Sequence, residues 1–294
     1  MFRFIHISDL HFSKISYCLS QFFSKRWVGT INLLFSRKKK FHPKPLFSLI
    51  DLFAKRKADF LVVTGDLTST SLNEEFQMAK DLFSSIEELG IKCFFLPGNH
   101  DHYTKSAYRK RRFYNFFSNP VEHPELIISR FSLRHHCVEA HMINDGYWLI
   151  LLDTAKATSL LSSRGHFTKE IEHNFLSLLA LIPKEDKIIL ANHFPFAQQE
   201  SIRKILVRGK RLQEIISGNE QIKFYLHGHT HRHCLADLQS NLLPIVLDSG
   251  SSSHNQIGSF NYVTVENSHA EIDVYKWKKE SWQEESKNRI DFLK

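Results

Sequence analysis

Five short apolar runs in this chain each end abruptly in polar residues able to bind a metal ion, and this repetition restricts the fold more than any other feature. Residues 3–8 run into Asp9-Leu10-His11, and residues 60–64 run into Gly65-Asp66. Residues 93–96 lead to Pro97-Gly98-Asn99-His100-Asp101, residues 187–191 to Asn192-His193, and residues 223–226 to His227-Gly228-His229-Thr230-His231. Each run has the length and the β-branched or aromatic bias of a buried strand. Helical patterns lie between the early runs, at 45–54 and at 74–89. In the second, Phe76, Ala79, Leu82, Phe83, Ile86 and Leu89 recur at helix spacing and Gly90 marks the stop. Further helices are predicted over 169–181, with Thr168 as N-cap, and over 201–216.

Strand–helix–strand alternation means parallel strands joined by crossover helices, and such sheets assemble their sites at the carboxyl ends of the strands. The five polar motifs are therefore expected to converge on one edge. The runs at 245–248, 262–265 and 271–275 have no helices between them and are expected to form or extend a second sheet. The charged stretch 276–294 is expected to be a surface helix or a frayed tail, which sets the domain at 1–275.

Composition narrows the class. With 294 residues, 42% of them hydrophobic, the chain can bury a sizeable core in one large domain or two modest ones. Its 25 phenylalanines are read as core filling. The net charge of +8 suggests an anionic partner, whether substrate phosphates, an acidic membrane surface or nucleic acid. Cys18, Cys93, Cys137 and Cys234 are far apart and form no CxxC pair, which suits reduced thiols in the cytoplasm better than a disulfide framework. The first strand runs straight into Ser8-Asp9 and does not read as a signal peptide. No stretch reaches the ~18 apolar residues of a spanning helix.

Asp9-x-His11 offers a carboxylate oxygen and an imidazole nitrogen in one loop, a donor set that suits Mn, Fe, Zn or Co rather than Ca. Asp66 has two oxygens and is able to bridge two ions, and Asn99 adds a neutral oxygen. His193, His229 and His231 add three nitrogens. Two ions ~3.5–4 Å apart would hold a bridging hydroxide and grip both ends of an in-line phosphoryl displacement. His100 fits the leaving-group side as a proton donor, with Asp101 holding its other ring nitrogen. Gly65, Gly98 and Gly228 are expected to permit the sharp backbone reversals after the strands.

The complete ordered set, from Asp9-x-His11 to Gly228-His229-x-His231, resembles the calcineurin-like metallophosphoesterase superfamily from residue 1 to about 250. The resemblance implies an α/β fold, a four-layer sandwich of two mixed β-sheets flanked by helices. It also implies two divalent ions, Mn2+ first, with Fe/Mn or Zn as alternatives. By similarity one ion takes Asp9, His11, Asp66 and His231, and the other takes Asp66, Asn99, His193 and His229. Residues 248–251 look like the family's returning strand and loop. Asn192 departs from a frequent second histidine and removes no ligand.

Outside the motifs, His6 is read as structural, His102 as an exposed loop histidine, and His254 as a solvated or packed histidine that follows the serine-rich loop near the expected site. Segment 15–44, aromatic and basic, reads either as an insertion folded on the core or as an interfacial element touching an anionic membrane. In the second basic-aromatic stretch, 105–117, Arg109, Arg111 and Arg112 are candidates for binding substrate phosphates. The leading expectation is a cytoplasmic hydrolase, peripheral to the inner membrane face if the insertion binds lipid. Its target would be a phosphodiester, phosphomonoester or pyrophosphate bond. The full motif set is similar to class III cyclic-nucleotide phosphodiesterases. The insertion would suit a membrane-associated UDP-2,3-diacylglucosamine-type pyrophosphohydrolase, whose best-known branch has arginine in place of His100. No extra DNA-binding domain supports a nuclease. The rival of another class is a non-catalytic protein-interaction scaffold on the same fold. Oligomeric state is left open.

Overall fold

The structure is a computed structural model that describes residues 1–14, 41–121, 123–159, 162–197 and 201–293. Cys18 and residues 15–40 of the insertion lie outside these. In chain order, β1 (Phe2–Ile7) is followed by α1 (Pro43–Lys55), β2 (Phe60–Val63), α2 (Asn73–Glu87) and β3 (Lys92–Phe95). Next come the short helices α3 (Lys105–Arg109) and α4 (Leu133–His136), then β4 (Val138–Asn144), β5 (Tyr147–Leu152) and β6 (Gly165–His166). α5 (Lys169–Leu179), β7 (Lys187–Asn192), β8 (Leu206–Val207), α6 (Gly209–Ser217) and β9 (Ile222–His227) complete the alternating part. β10 (His233–Asp237), β11 (Ile245–Ser249), β12 (Ser259–Val265), β13 (His269–Lys278) and β14 (Ser281–Asp291) close the chain.

Among the described residues the strands form two mixed six-stranded sheets, β14-β13-β12-β1-β2-β3 and β10-β11-β9-β7-β5-β4, with β6 and β8 as a separate ribbon. β1, β2 and β3 are parallel, as are β5, β7, β9 and β11. Strand alternation sorts side chains into three cores. Phe4, Phe60, Val62, Phe94, Leu149, Ile189, Phe224 and Leu226 lie between the sheets. Ile5, Leu61, Val63 and Phe95 face the other way, onto Leu49 and Phe53 of α1 and Phe76, Leu82 and Phe83 of α2. Ile150, Ile188 and Leu190 pack on Ile171 and Phe175 of α5 and Leu212 and Ile216 of α6. The result is the four-layer sandwich that the family resemblance implies. Phenylalanine does fill these cores: Phe4 stacks on Phe60 at 5.3 Å and meets Phe224 edge-on at 6.2 Å. Burying each such ring contributes about 1.5–3 kcal/mol.

Three helices fall where periodicity places them, and Thr168 does cap α5, its hydroxyl accepting the Ile171 amide at 3.2 Å. The helix predicted over 201–216 is only half right. Leu206–Val207 pairs with Gly165–His166, and Arg208 in a left-handed conformation (φ 63°) delays the helix to Gly209. The late strands divide: β11 joins the second sheet, whereas β12 to β14 return to the first beside β1.

The charged end is a correction. Residues 281–291 are neither helix nor frayed tail but a full strand paired antiparallel with β13. Trp282 explains its attachment. Its ring meets Phe260 at 5.0 Å and its indole N–H donates to the Pro45 carbonyl at 2.9 Å. Arg56 adds ion pairs to Asp273 on β13 (2.6 Å) and Glu284 on β14 (3.0 Å). Trp282→Ala should cost about 2–3 kcal/mol in urea unfolding, below the full-core range because the ring is half-buried. A loss under about 0.5 kcal/mol would show that the segment carries no stability.

Candidate metal centre

The seven expected ligands all follow strands, but the two sheets supply different chemistry. Asp9 and His11 follow β1, Asp66 follows β2 and Asn99 follows β3, all in the first sheet. His193 follows β7, and His229 and His231 follow β9, in the second. Backbone bonds extend the parallel ladder past the strand ends: Asp9 N–H donates to the Gly65 carbonyl (3.0 Å) and His11 N–H to the Asp66 carbonyl (2.9 Å). Gly228 N–H crosses to the His193 carbonyl at 3.1 Å.

Five of the seven stand in the left-handed backbone region: Asp9 (φ 55°), His11 (50°), Asp66 (54°), His229 (71°) and His231 (57°). Each such residue costs of order 1–3 kcal/mol, and such strain gathers at functional sites. The glycines divide by role. Gly65 has φ +96° and needs its conformational freedom. Gly98 and Gly228 have no positive φ and are required for space instead. A Cβ on Gly98 would lie 2.2 Å from Asp66 Oδ1, and one on Gly228 would lie 1.9 Å from Ser8 Oγ.

Both carboxylates are held by the same device. Asp9 Oδ2 accepts the His229 amide at 2.9 Å, and Asp66 Oδ1 accepts the His100 amide at 2.7 Å. The second oxygen of each is left facing imidazoles. Asp9 Oδ1 lies 3.1 Å from His231 Nε2 and 3.6 Å from His11 Nε2. Asp66 Oδ2 lies 3.9 Å from His11 Nε2 and 3.5 Å from His193 Nε2. A single oxygen of Asp66, rather than both, therefore faces the two groups of histidines. Donor atoms of Asp9, His11, Asp66 and His231 all lie within 4.8 Å of one another. On the other side, His193 Nε2 is 3.3 Å from Asn99 Oδ1 and 3.3 Å from His229 Nδ1.

These atoms fit divalent ions. Asp9 Oδ1 is buried without a hydrogen-bond donor, and His11 Nε2 faces His231 Nε2 at 3.0 Å. The outward ring nitrogens of His193 and His229 are already committed, as ligand histidines require. His193 Nδ1 donates to the Thr64 carbonyl (2.7 Å) and His229 Nε2 to the Lys204 carbonyl (3.0 Å), so their other ring nitrogens face the cluster. Burial, reinforced by the His193 charge, pushes His229 down to about 3 and keeps it neutral. Burial opposes ionisation of Asp66, but the charges of His193 and His100 outweigh it and hold the carboxyl well below the usual range. His193, lowered by burial yet lifted further by Asp66, is pushed up to about 9.

Asp101 does not hold His100. Its buried carboxylate accepts the amides of Leu67 (3.2 Å), Thr68 (2.9 Å) and Gly98 (2.9 Å), together with the Thr68 hydroxyl (3.0 Å). It ties the loop carrying Asp66 to the loop carrying Asn99. His100 Nδ1 donates instead to the Ser69 carbonyl at 2.7 Å, and the ring stands edge-on to His11 at 5.0 Å. His102 is fully buried rather than exposed, with Nε2 3.4 Å from Asp153 Oδ2, to which the Tyr114 hydroxyl also donates (2.5 Å). No local signal could show this, because Asp153 lies in a distant loop. His6 is structural as expected, bonded to Thr64 at 3.0 Å. Of the three candidate arginines, Arg112 donates to the Ser71 carbonyl (2.6 Å) and Arg111 lies over the Tyr108 ring (5.7 Å), while Arg109 is exposed. Arg111 thus packs within its own segment, and Arg112 ties that segment to the loop that follows Asp66.

The family model described as calcineurin-like phosphoesterase matches residues 2–233. A probable glycerophosphodiester phosphodiesterase of Arcobacter nitrofigilis is 25% identical over 203 residues, which cover 68% of this chain. The chain spans only 65% of the length of that relative. Among solved structures, a dimetal phosphatase from Danio rerio superposes with a TM-score of 0.64 at 11% identity, covering 99% of both chains. A purple acid phosphatase from yellow lupin gives 0.60 at 13% identity, over 98% of this chain and 53% of that one. At such identities the likeness concerns the fold alone. Family model, architecture and donor geometry meet on the same residues, and the chain belongs to the calcineurin-like phosphoesterase family, with the donor set of a two-metal-binding site.

Proposed function

We propose that the protein hydrolyses phosphodiesters of small alcohols, with His100 as proton donor to the departing oxygen. The observation that carries this reading is the pair of buried carboxylates, each with one oxygen fixed by a backbone amide and the other aimed at histidines. When bound, two ions supply an activated water near neutral pH and neutralise the phosphoryl oxygens. Asp9, His11, Asp66 and His231 would hold one ion; Asp66, Asn99, His193 and His229 would hold the other. The mixed nitrogen and oxygen donors favour Mn2+, with Fe/Mn or Zn as alternatives.

The protein's own groups do the rest. The Ser69 carbonyl fixes the His100 hydrogen on Nδ1 and orients the ring, so the transferred proton would be the one on Nε2. Asp101 is a positioning residue that fixes the spacing between Asp66 and His100. The diester preference is supported by the glycerophosphodiester relative. A cyclic nucleotide is a narrower form of the same bond. The lipid pyrophosphate reading has less support, since His100 departs from its arginine. A scaffold would need none of these buried charges, so the non-catalytic reading is set aside.

Asp66→Ala and His193→Ala should each reduce Mn2+-dependent turnover of bis(p-nitrophenyl) phosphate by at least about 1,000-fold, since each removes a ligand. Unchanged turnover in either variant would sink the assignment. His100→Ala should keep its bound metal yet lose about 100- to 10,000-fold in kcat on a glycerophosphodiester, whose alkoxide leaving group needs a proton. On the nitrophenyl diester the loss should be far smaller. Equal losses on both substrates would remove His100 from the proton-donor role.

A further inference from the structure

The two histidine groups are each braced by one phenylalanine, and the two braces come from different places. On the second-sheet side, Phe194 follows His193 directly. Its ring lies 4.9 Å from the His193 ring and 4.6 Å from the His229 ring. Gly165 allows the β6–β8 ribbon to close over it, since a Cβ there would lie 2.4 Å from the Phe194 ring. On the first-ion side the corresponding ring is Phe41, which is remote in sequence from every ligand. Its centroid lies 4.7 Å from His11 and 5.5 Å from His231, with a third contact to His254 at 5.7 Å.

The backbone at Phe41 is fixed by the site itself. Phe41 forms an antiparallel bridge with His254, and the His42 amide donates to the Ser253 carbonyl at 3.0 Å. The hydroxyls of Ser251 and Ser253 both donate to the Asp9 carbonyl, at 2.7 and 3.2 Å. The serine loop thus grips the candidate ligand Asp9 on one side and the Phe41 backbone on the other.

We propose that Phe41 is a positioning residue for the first ion. Its ring holds the His11 and His231 imidazoles against the Asp9 carboxylate and keeps water from that side of the pair. Unlike the residues the motifs identify, it contributes no donor atom. Packing of this kind acts on ligand geometry and so on affinity, where partners beyond the ligands commonly shift metal binding 10- to 100-fold. The inference rests on the two-ion reading, and the test separates the two.

Metal-free wild type, Phe41→Ala and Phe41→Tyr are titrated with Mn2+, free ion being followed by electron paramagnetic resonance and bound ion by elemental analysis. The expected result is two ions in the wild type. Phe41→Ala should show one step at wild-type affinity and the other weakened about tenfold or more, and Phe41→Tyr should recover near-wild-type binding. Two unchanged steps in Phe41→Ala would overturn the proposal, and a raised KM beside them would make the ring a substrate wall instead. Equal weakening of both steps with a lowered Tm would also overturn it, as general loosening. Fewer than two ions in the wild type would overturn the two-ion reading on which it rests.

Discussion

Asp66 is the constraint on which the rest of the site depends. One of its oxygens is held by the His100 amide, and the other faces His11 on one side and His193 on the other. A buried carboxylate left uncompensated costs several kcal/mol, and here a second one, Asp9, lies in the same pocket. The fold tolerates that charge because histidines from the second sheet meet carboxylates from the first. The junction of the sheets is therefore held electrostatically at one edge, while a dry aromatic core holds it everywhere else. The left-handed backbone at five of these residues shows the same tension, since Asp9, His11 and Asp66 are kept in a costly conformation by ladder bonds that continue past the strands.

The convergence of the seven candidate ligands on one edge was legible in the sequence, and the reason is geometric. A parallel sheet presents its carboxyl ends at one edge, so a polar residue just after an apolar run is placed without knowledge of the loop. What could not be read there was the direction of a side chain within a motif. Asp101 follows His100 directly yet turns to the amides of Leu67, Thr68 and Gly98. Gly98 and Gly228 look like turn glycines but are demanded by the close approach of Asp66 and Ser8.

Longer-range choices were illegible for a different reason. The strand at 281–291 is so charged that its pattern suggests exposure, and its attachment depends on Trp282 and Arg56 finding partners elsewhere. Residues 201–208 have helical spacing, but Leu206 and Val207 gain more from pairing with the ribbon than from propagating a helix. Basic residues carry a similar lesson. Arg111 and Arg112 suggest a phosphate-binding patch by composition, yet their guanidinium groups turn to Tyr108 and the Ser71 carbonyl. Phe41 shows the converse, a residue with no motif that the fold brings against two ligands.

Anomalous diffraction from crystals grown with Mn2+ tests whether Asp66 would serve both ions of the proposed pair. Two peaks should appear ~3.5–4 Å apart. One should lie among Asp9, His11 and His231, the other among Asn99, His193 and His229, with Asp66 Oδ2 coordinating both. A single peak, or two ions with Asp66 bound to only one, would contradict the account.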